Sequence, residues 1–164
     1  MCGVLKYCSV LTTVILGKGL GEIGRMAFQE CTSLREIVIP PSVRAIMERA
    51  FYRCLGLIRK KALASCRFLR EIVIPSAVRV IKESAFEYCS ELTIVILGEG
   101  LEEIGMIAFY HCTLLHEIVI PPAIRRIKYE AFFCCSELAI AILGEGLKEI
   151  GVRAFTIAHC YMTL

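Results

Sequence analysis

The sequence predicts an α/β solenoid built from stacked 23-residue units. Cysteines recur every 23 residues along most of the chain, and apolar residues recur at fixed offsets from each cysteine. Within each unit the apolar spacing changes from the alternation typical of a strand to the steps of four typical of a helix face. One strand and one short helix cannot bury an apolar face alone, but stacked units can cover one another.

The cysteine period divides the chain into six complete units and one short unit. The complete units are 8–30, 31–53, 66–88, 89–111, 112–134 and 135–157, and residues 1–164 are predicted to form a single solenoid. The unit 54–65 has 12 residues instead of 23 and lacks the strand and its turn. We therefore expect the sheet to be interrupted between Val38 and Val73, with a kink or a soft point there.

The first part of each unit predicts a short strand. In the unit 31–53, Ile37 and Ile39 alternate with Val38, and Pro40 then ends the ladder. Units with such a proline turn alternate with units that have a Gly-x-Gly turn, and we call them proline-type and glycine-type units. The strands are predicted to form a parallel sheet.

The second part of each unit predicts a short helical segment. In the unit 31–53, Ile46, Ala50 and Cys54 follow one another at steps of four. The two unit types also carry opposite charges in this region. We therefore expect Glu102 to lie between Arg79 and Arg125 and to help fix the register of neighbouring units.

The repeated unit resembles the BspA-like leucine-rich repeats, whose pattern is CxxLxxIxIPxxVxxIxxxAFxxC. The segments CTSLREIVIPPSVRAIMERAFYRC (31–54) and CSELTIVILGEGLEEIGMIAFYHC (89–112) match this pattern nearly throughout. The resemblance implies a right-handed, curved solenoid with parallel strands on the concave face and short helical segments opposite. It also implies a role in binding other proteins, often in adhesion at a cell surface, without specifying a ligand.

Composition excludes most chemistry. The chain is 57% hydrophobic and 21% charged, with a net charge of +3. It is too apolar for a disordered chain and too weakly basic for a nucleic-acid-binding protein, and no apolar stretch reaches the roughly 18 residues of a membrane span. The sequence contains no Asp and no Asn, which excludes an Asp–His–Ser triad. We predict no catalytic residues, and hence no enzyme.

No cofactor or metal is predicted either. The Gly-x-Gly segments recur in every second unit, as turns do, and no Gly-Lys-Ser/Thr follows them. The cysteines include no C-x-x-C pair of the kind that supplies zinc ligands. We interpret the periodic cysteines as small buried thiols, and expect Cys2, Cys134 and Cys160, which lie outside the period, to be the more reactive ones.

The strands supply the candidate binding site. Each has one outward residue between its two inward ones, and all six are β-branched and apolar: Ile15, Val38, Val73, Ile96, Val119 and Ile142. The flanking candidates are Glu36, Glu71, Ile94 and Glu117. A contiguous exposed apolar stripe indicates an interaction surface, although strand propensity alone could produce the same pattern. A second candidate is the aromatic series Tyr52, Tyr88, Tyr110 and Phe133, which could equally pack between units.

We therefore predict a non-catalytic scaffold that binds an unidentified protein through the concave strand face. Two alternatives stay open: a structural element that self-associates through uncapped ends, and a fragment of a larger cell-surface adhesion protein without independent function. The unpaired cysteines favour an intracellular compartment, whereas a longer protein of this kind would lie at the cell surface or be secreted.

Overall fold

The computed structural model describes residues 5–54 and 69–156, together with the backbone of 161–163. It is a parallel-strand solenoid with a spacing of about 23 residues, which confirms the predicted stack of units. Each complete unit contributes one three-residue strand and one two-residue strand to the stack, and we call such a unit a rung. Every strand pairing among the described residues is parallel.

The strands are numbered in chain order and form two sides of the stack. The three-residue strands are β1 (Thr13–Ile15), β3 (Glu36–Val38), β5 (Glu71–Val73), β7 (Ile94–Ile96), β9 (Glu117–Val119), β11 (Ile140–Ile142) and β13 (Tyr161–Thr163). The two-residue strands are β2 (Glu22–Ile23), β4 (Ala45–Ile46), β6 (Val80–Ile81), β8 (Glu103–Ile104), β10 (Arg126–Ile127) and β12 (Glu149–Ile150). The two-residue strands form one continuous sheet from β2 to β12, whereas the three-residue strands are hydrogen-bonded in separate groups, β1–β3, β5–β7 and β9–β11–β13.

The core lies between these two sides and repeats from rung to rung. In the unit 31–53, together with the cysteine that follows it, every residue that the repeat pattern predicted to face inward is buried: Leu34, Ile37, Ile39, Val43, Ile46, Ala50, Phe51 and Cys54. The phenylalanines form a column of parallel rings with centroids 5.0–5.3 Å apart: Phe28, Phe51, Phe86, Phe109, Phe132 and Phe155. The period-2 and period-23 patterns therefore identified the core correctly.

The predicted helical segments are wrong: the described residues contain none. The segment 45–54 forms β4 followed by two tight turns, closed by Ala50 N–H to Met47 C=O at 3.2 Å and Cys54 N–H to Phe51 C=O at 3.2 Å. The N–H of Phe51 donates to Ala85 C=O of the adjacent rung at 2.7 Å. A bond between rungs thus replaces the bond to residue i−4 that an α-helix would require.

Residues in the left-handed backbone conformation are a second feature that is incompatible with a helix. Two non-glycine residues per rung have positive φ at fixed repeat positions, for example Ile107 (48°) and His111 (62°). A right-handed helix requires a φ near −60°, so it cannot contain these residues. The left-handed conformation costs roughly 1–2 kcal/mol per residue. The inter-rung hydrogen bonds of these turns hold the residues in place.

The truncated unit affects the two sides of the solenoid differently. Beyond Cys54, its residues lie outside the described part of the chain. On the two-residue side the neighbouring rungs stack directly, with Ala45 opposite Val80 in β4 and β6. On the other side no backbone hydrogen bond joins β3 to β5, as the missing strand led us to expect. The kink or soft point stays a prediction. The strands β7 and β9 are also not paired, although no residues are missing between their units.

The alternation of turn types has a steric basis. Where a glycine-type rung follows a proline-type rung in the described residues, its Gly-x-Gly turn lies against the backbone of the proline turn in the preceding rung. A Cβ atom on Gly98 would come within 2.6 Å of the Ile74 carbonyl oxygen, and one on Gly100 would overlap the Ser76 carbonyl oxygen. Glycine therefore permits a close approach of two backbones that any other residue would prevent.

Gly100→Ala is expected to lower the free energy of unfolding by about 1–3 kcal/mol, because the backbone must move to accommodate the new methyl group. Gly19 occupies the same repeat position in the unit 8–30, and a Cβ atom there would meet nothing within 4 Å. Gly19→Ala should consequently have a much smaller effect. Urea unfolding of both variants makes the comparison, and equal losses of stability would contradict the close-approach explanation.

Glu102 lies between Arg79 and Arg125 as predicted, but only one of the two contacts is an ion pair. Arg79 Nη1 lies 3.3 Å from Glu102 Oε1, as expected. Arg125, however, meets Glu102 through a backbone hydrogen bond of 2.9 Å. The adjacent residue Glu103 forms ion pairs with Arg126 Nη2 at 2.9 Å and with Lys128 Nζ at 2.8 Å. Burial raises the pKa of Glu103, but these two cations outweigh it and lower the pKa overall.

Candidate functional site

Six predicted site residues occupy the third position of successive three-residue strands, and we call them the exposed stripe. Their side chains are 40–79% exposed: Ile15, Val38, Val73, Ile96, Val119 and Ile142. The strand register places Val73 opposite Ile96 and Val119 opposite Ile142. Alternation explains the arrangement, because the middle residue of each strand is buried and its two neighbours must point outward.

The exposed stripe is bordered by carboxylates and by further apolar residues. Glu36, Glu71 and Glu117 are exposed at the first position of the proline-type strands. The glycine-type strands place Ile94 and Ile140 in register with Glu71 and Glu117, and both isoleucines are also exposed. All the predicted binding residues therefore lie on one face, where apolar rows alternate with acidic positions.

A groove interrupts this face between β3 and β5. Its volume is about 750 Å³, and it is lined by both strands: Arg35, Glu36, Ile37, Val38, Ile39, Arg70, Glu71 and Val73. A smaller cavity of about 270 Å³ lies between β7 and β9, bordered by Thr93, Ile94, Val95, His116, Glu117 and Val119. The larger opening lies between the two rungs in which β4 pairs with β6 but β3 does not pair with β5.

The periodic cysteines have a structural role within the described residues. Each buried thiol donates its S–H to a backbone carbonyl of the preceding rung, for example Cys112 Sγ to Phe86 O at 3.3 Å and Cys135 Sγ to Phe109 O at 3.2 Å. Burial raises the pKa of Cys89 and of Cys135 to about 12. These thiols are therefore neutral hydrogen-bond donors, which agrees with the predicted buried thiols and adds a bonding role that the sequence did not suggest.

The remaining cysteines do not form a metal site in the described part of the chain. No group of three or more potential metal-ligating side chains converges among those residues. Cys134 is half-buried and unpaired, whereas Cys2 and Cys160 lie outside the described residues. Their greater reactivity stays a prediction.

The second candidate, the aromatic series, packs between rungs. Tyr88 makes edge contacts with Tyr52 at 6.1 Å and Tyr110 at 5.5 Å between ring centroids, and Tyr110 stacks on Phe133 at 5.5 Å. The guanidinium of Arg53 lies 5.3 Å from the Tyr52 ring and 5.6 Å from the Tyr88 ring. These aromatic residues therefore connect adjacent turns of the solenoid.

Neither described histidine belongs to a catalytic arrangement. His111 stacks on Tyr88 with ring centroids 5.3 Å apart, and His116 Nδ1 lies 2.6 Å from Leu114 O. Within the described ranges the structure shows no nucleophile and base in hydrogen-bonding contact. The described residues include no helix that is long and apolar enough to cross a membrane.

Sequence reasoning missed the groove and the left-handed turn residues. The shortened spacing between Cys54 and Cys66 was the available signal for the groove, and it predicted the interrupted sheet but not an opening on one side only. The left-handed positions carry residues as different as Ser84, Ile107 and Glu130, so composition gives no signal for them.

These features define a repeat scaffold, in which one buried pattern recurs from rung to rung. The BspA-type leucine-rich repeat model matches the chain in six copies over residues 3–60 and 56–162, and the chain belongs to this family. Proteins of this repeat class are generally non-enzymatic scaffolds, which agrees with the lack of a catalytic arrangement in the described residues.

Solved structures show the same architecture. The Treponema pallidum leucine-rich repeat protein is 28% identical with a TM-score of 0.82, and the match covers 96% of this chain and 68% of that one. A Bacteroides ovatus leucine-rich repeat protein is 24% identical with a TM-score of 0.52, over 94% of this chain and 49% of that one. The chain thus spans about two thirds and one half of these relatives. No curated protein sequence matches it.

Proposed function

We propose that the chain is a protein-binding scaffold whose exposed stripe forms the centre of the interface. The observation that carries this proposal is the register of β-branched apolar side chains, each at least 40% exposed, on successive rungs. Strand propensity explains why such residues occur in a strand, but polar β-branched threonine satisfies that propensity equally well. An apolar row that faces water is typical of an interaction surface, which a partner would cover.

Two kinds of interaction would contribute to such an interface. Covering the exposed stripe removes apolar area from water, at about 25 cal/mol per Å² before the costs of association. Glu36, Glu71 and Glu117 along one border would orient the partner and select for complementary positive charge. Thr13 is in register with Glu36, so the pair β1–β3 exposes fewer apolar residues than the later strand pairs. The partner is therefore expected to contact β5 to β11 most extensively.

The triple variant Val73→Glu, Ile96→Glu, Val119→Glu tests this proposal in affinity capture from the native source. The substituted side chains are all about half exposed, so the variant should fold, which circular dichroism can verify. A partner that wild type retains should be lost by this variant, because three carboxylates would be buried in the interface. The measurement is the amount of each captured protein, quantified against wild type.

The matched control carries the same three added charges on other surfaces. Val10→Glu, Met106→Glu, Val152→Glu replaces exposed apolar residues outside the three-residue strands. It should retain the partner. Equal capture by the wild type, stripe variant and control would rule out the exposed stripe as the binding site. A wild-type mass that increases with concentration, without any captured partner, would favour self-association instead.

A further inference from the structure

We propose that a cleft between the proline turns of the units 31–53 and 66–88 binds a short acidic peptide segment of a partner protein. The cleft has a volume of about 310 Å³ and is lined by the two turns and two arginines: Pro41, Ser42, Arg44, Ala77 and Arg79. It lies outside the exposed stripe, so this binding site goes beyond the proposed function. A carboxylate of the peptide would accept parallel hydrogen bonds from the guanidinium of Arg44.

The cleft lies where the truncation makes two proline-type rungs direct neighbours. Arg79 N–H donates to Arg44 C=O at 2.8 Å, so the two rungs are stacked at this point. In an intact pair of rungs, a glycine turn fills this space, because a Cβ atom on Gly100 would overlap the Ser76 carbonyl oxygen. Ala77 occupies the repeat position of that glycine, and its methyl group prevents an equally close approach. The space between the two proline turns therefore stays open.

The same junction leaves Arg44 without a carboxylate. Glu102 Oε1 of a glycine-type unit lies 3.3 Å from Arg79 Nη1, whereas the neighbours of Arg44 in the adjacent rungs are Gly21 and Arg79. Every glutamate of the chain lies in the described residues, and none of them forms an ion pair with Arg44. Like charges opposite each other on neighbouring strands are destabilising, and a bound anion would relieve this repulsion.

The wider charge distribution favours an acidic ligand. The units from 31 to 88 carry 11 basic and 5 acidic residues, a net charge of +6, whereas the rest of the chain carries 8 basic and 11 acidic residues, a net charge of −3. Residues 55–68, outside the described part, contribute four of these basic residues and no acidic one. A concentration of positive charge attracts an acidic partner to this part of the solenoid. The negative remainder would repel a long polyanion, which favours a short acidic segment.

Two fluorescent nine-residue peptides test the proposal. One alternates glutamate with glycine, and the other has glutamine in place of each glutamate. Fluorescence anisotropy should show that the glutamate peptide binds wild type at least 10-fold more tightly, the factor that corresponds to one charge-assisted hydrogen bond. The measurement is made at an ionic strength of about 0.15 M, at which exposed charges more than about 8 Å apart are largely screened.

Arg44→Gln, Arg79→Gln removes both positive charges of the cleft. This variant should bind the glutamate peptide at least 10-fold more weakly than wild type, because neither arginine can then pair with a carboxylate. Both side chains are exposed, so the variant should fold, which circular dichroism can verify.

The matched control is Arg125→Gln, Lys148→Gln, which removes two positive charges at the same repeat position. Lys148 N–H donates to Arg125 C=O at 2.9 Å, so this pair is arranged as Arg79 and Arg44 are. A glycine turn fills the space beside it, since a Cβ atom on Gly146 would overlap the Pro122 carbonyl oxygen. The control should therefore bind the glutamate peptide nearly as tightly as wild type.

Equal binding of the two peptides, or no binding of either, would overturn the cleft as a site for an acidic segment. An equal loss in the cleft variant and in the control would also overturn it, because overall charge would then explain the binding.

The cleft and the exposed stripe can fail separately, since the peptides carry no apolar side chains. Binding of the glutamate peptide together with partner capture that survives the stripe variant would support the cleft and contradict the stripe. Loss of the partner from the stripe variant, without peptide binding to wild type, would support the stripe and overturn the cleft.

Discussion

The free energy of unfolding is expected to fall steeply as the pH rises from 9 toward 12. Five cysteines of the periodic column are fully or almost fully buried: Cys31, Cys54, Cys89, Cys112 and Cys135. Burial raises the pKa of Cys31 to about 11 and that of Cys89 and Cys135 to about 12, and burial together with the neighbouring thiols raises the pKa of Cys54 and Cys112 as well. A thiol in the unfolded chain keeps a pKa of about 8.5.

The direction follows from the protons that each state holds. Below the unfolded pKa, both states keep their thiols protonated and the stabilisation is fully present. Above it, the unfolded chain releases protons that the folded chain retains, so each thiol lowers the free energy of unfolding by about 1.4 kcal/mol per pH unit. Five thiols together would remove several kcal/mol per pH unit, a large part of the 5–15 kcal/mol typical of a domain. Urea unfolding at several pH values, in reducing buffer, measures this slope.

Serine substitutions distinguish the titration of the thiols from other effects of high pH on stability. Cys89→Ser, Cys112→Ser should reduce the slope by about two fifths, because the hydroxyl group can still donate a hydrogen bond but does not titrate in this range. Cys134→Ser, at a half-buried thiol outside the column, is the control for the effect of a cysteine-to-serine change as such. An identical slope for wild type and the double variant would show that the column does not control alkaline stability.

The strand side of each rung could be predicted from the sequence because its signals are local and redundant. Ile37 and Ile39 alternate with Val38, and the same alternation recurs in every complete unit. Burial of the inward residues and exposure of the outward ones follow directly from a period of two. The exposed stripe could therefore be located residue by residue, whereas any ligand that it binds would depend on a second molecule, which this pattern does not describe.

The second half of each rung could not be predicted in the same way. Inward residues at steps of four, such as Ile46, Ala50 and Cys54, fit a helix face and equally fit a two-residue strand followed by two turns. The bond from Phe51 N–H to Ala85 C=O decides between them, and its two residues come from different units. The groove has the same origin, because direct stacking of β4 on β6 opens it only on the opposite side.

Phe109→Ala is expected to reduce the free energy of unfolding by about 3–5 kcal/mol, the usual cost of removing a fully buried aromatic ring. The Phe109 ring lies between Phe86 and Phe132, with centroid distances of 5.0 and 5.1 Å and interplanar angles of 5° and 3°. Its removal leaves a cavity in the middle of the column and separates two stacks of rings. Urea unfolding followed by circular dichroism at neutral pH measures the loss.

Phe155→Ala is the matched control, since it removes the same side chain at the same repeat position. Phe155 is only half-buried, and its single ring contact among the described residues is with Phe132 at 5.0 Å. Phe155→Ala should therefore reduce the free energy of unfolding clearly less than Phe109→Ala does. If both substitutions cost the same, the ring column would not be the cooperative core, and stability would have to reside in the inter-rung hydrogen bonds. A larger loss at Phe109, with an unchanged denaturant dependence, would instead mean that the rungs between Phe86 and Phe132 unfold as one unit with their neighbours.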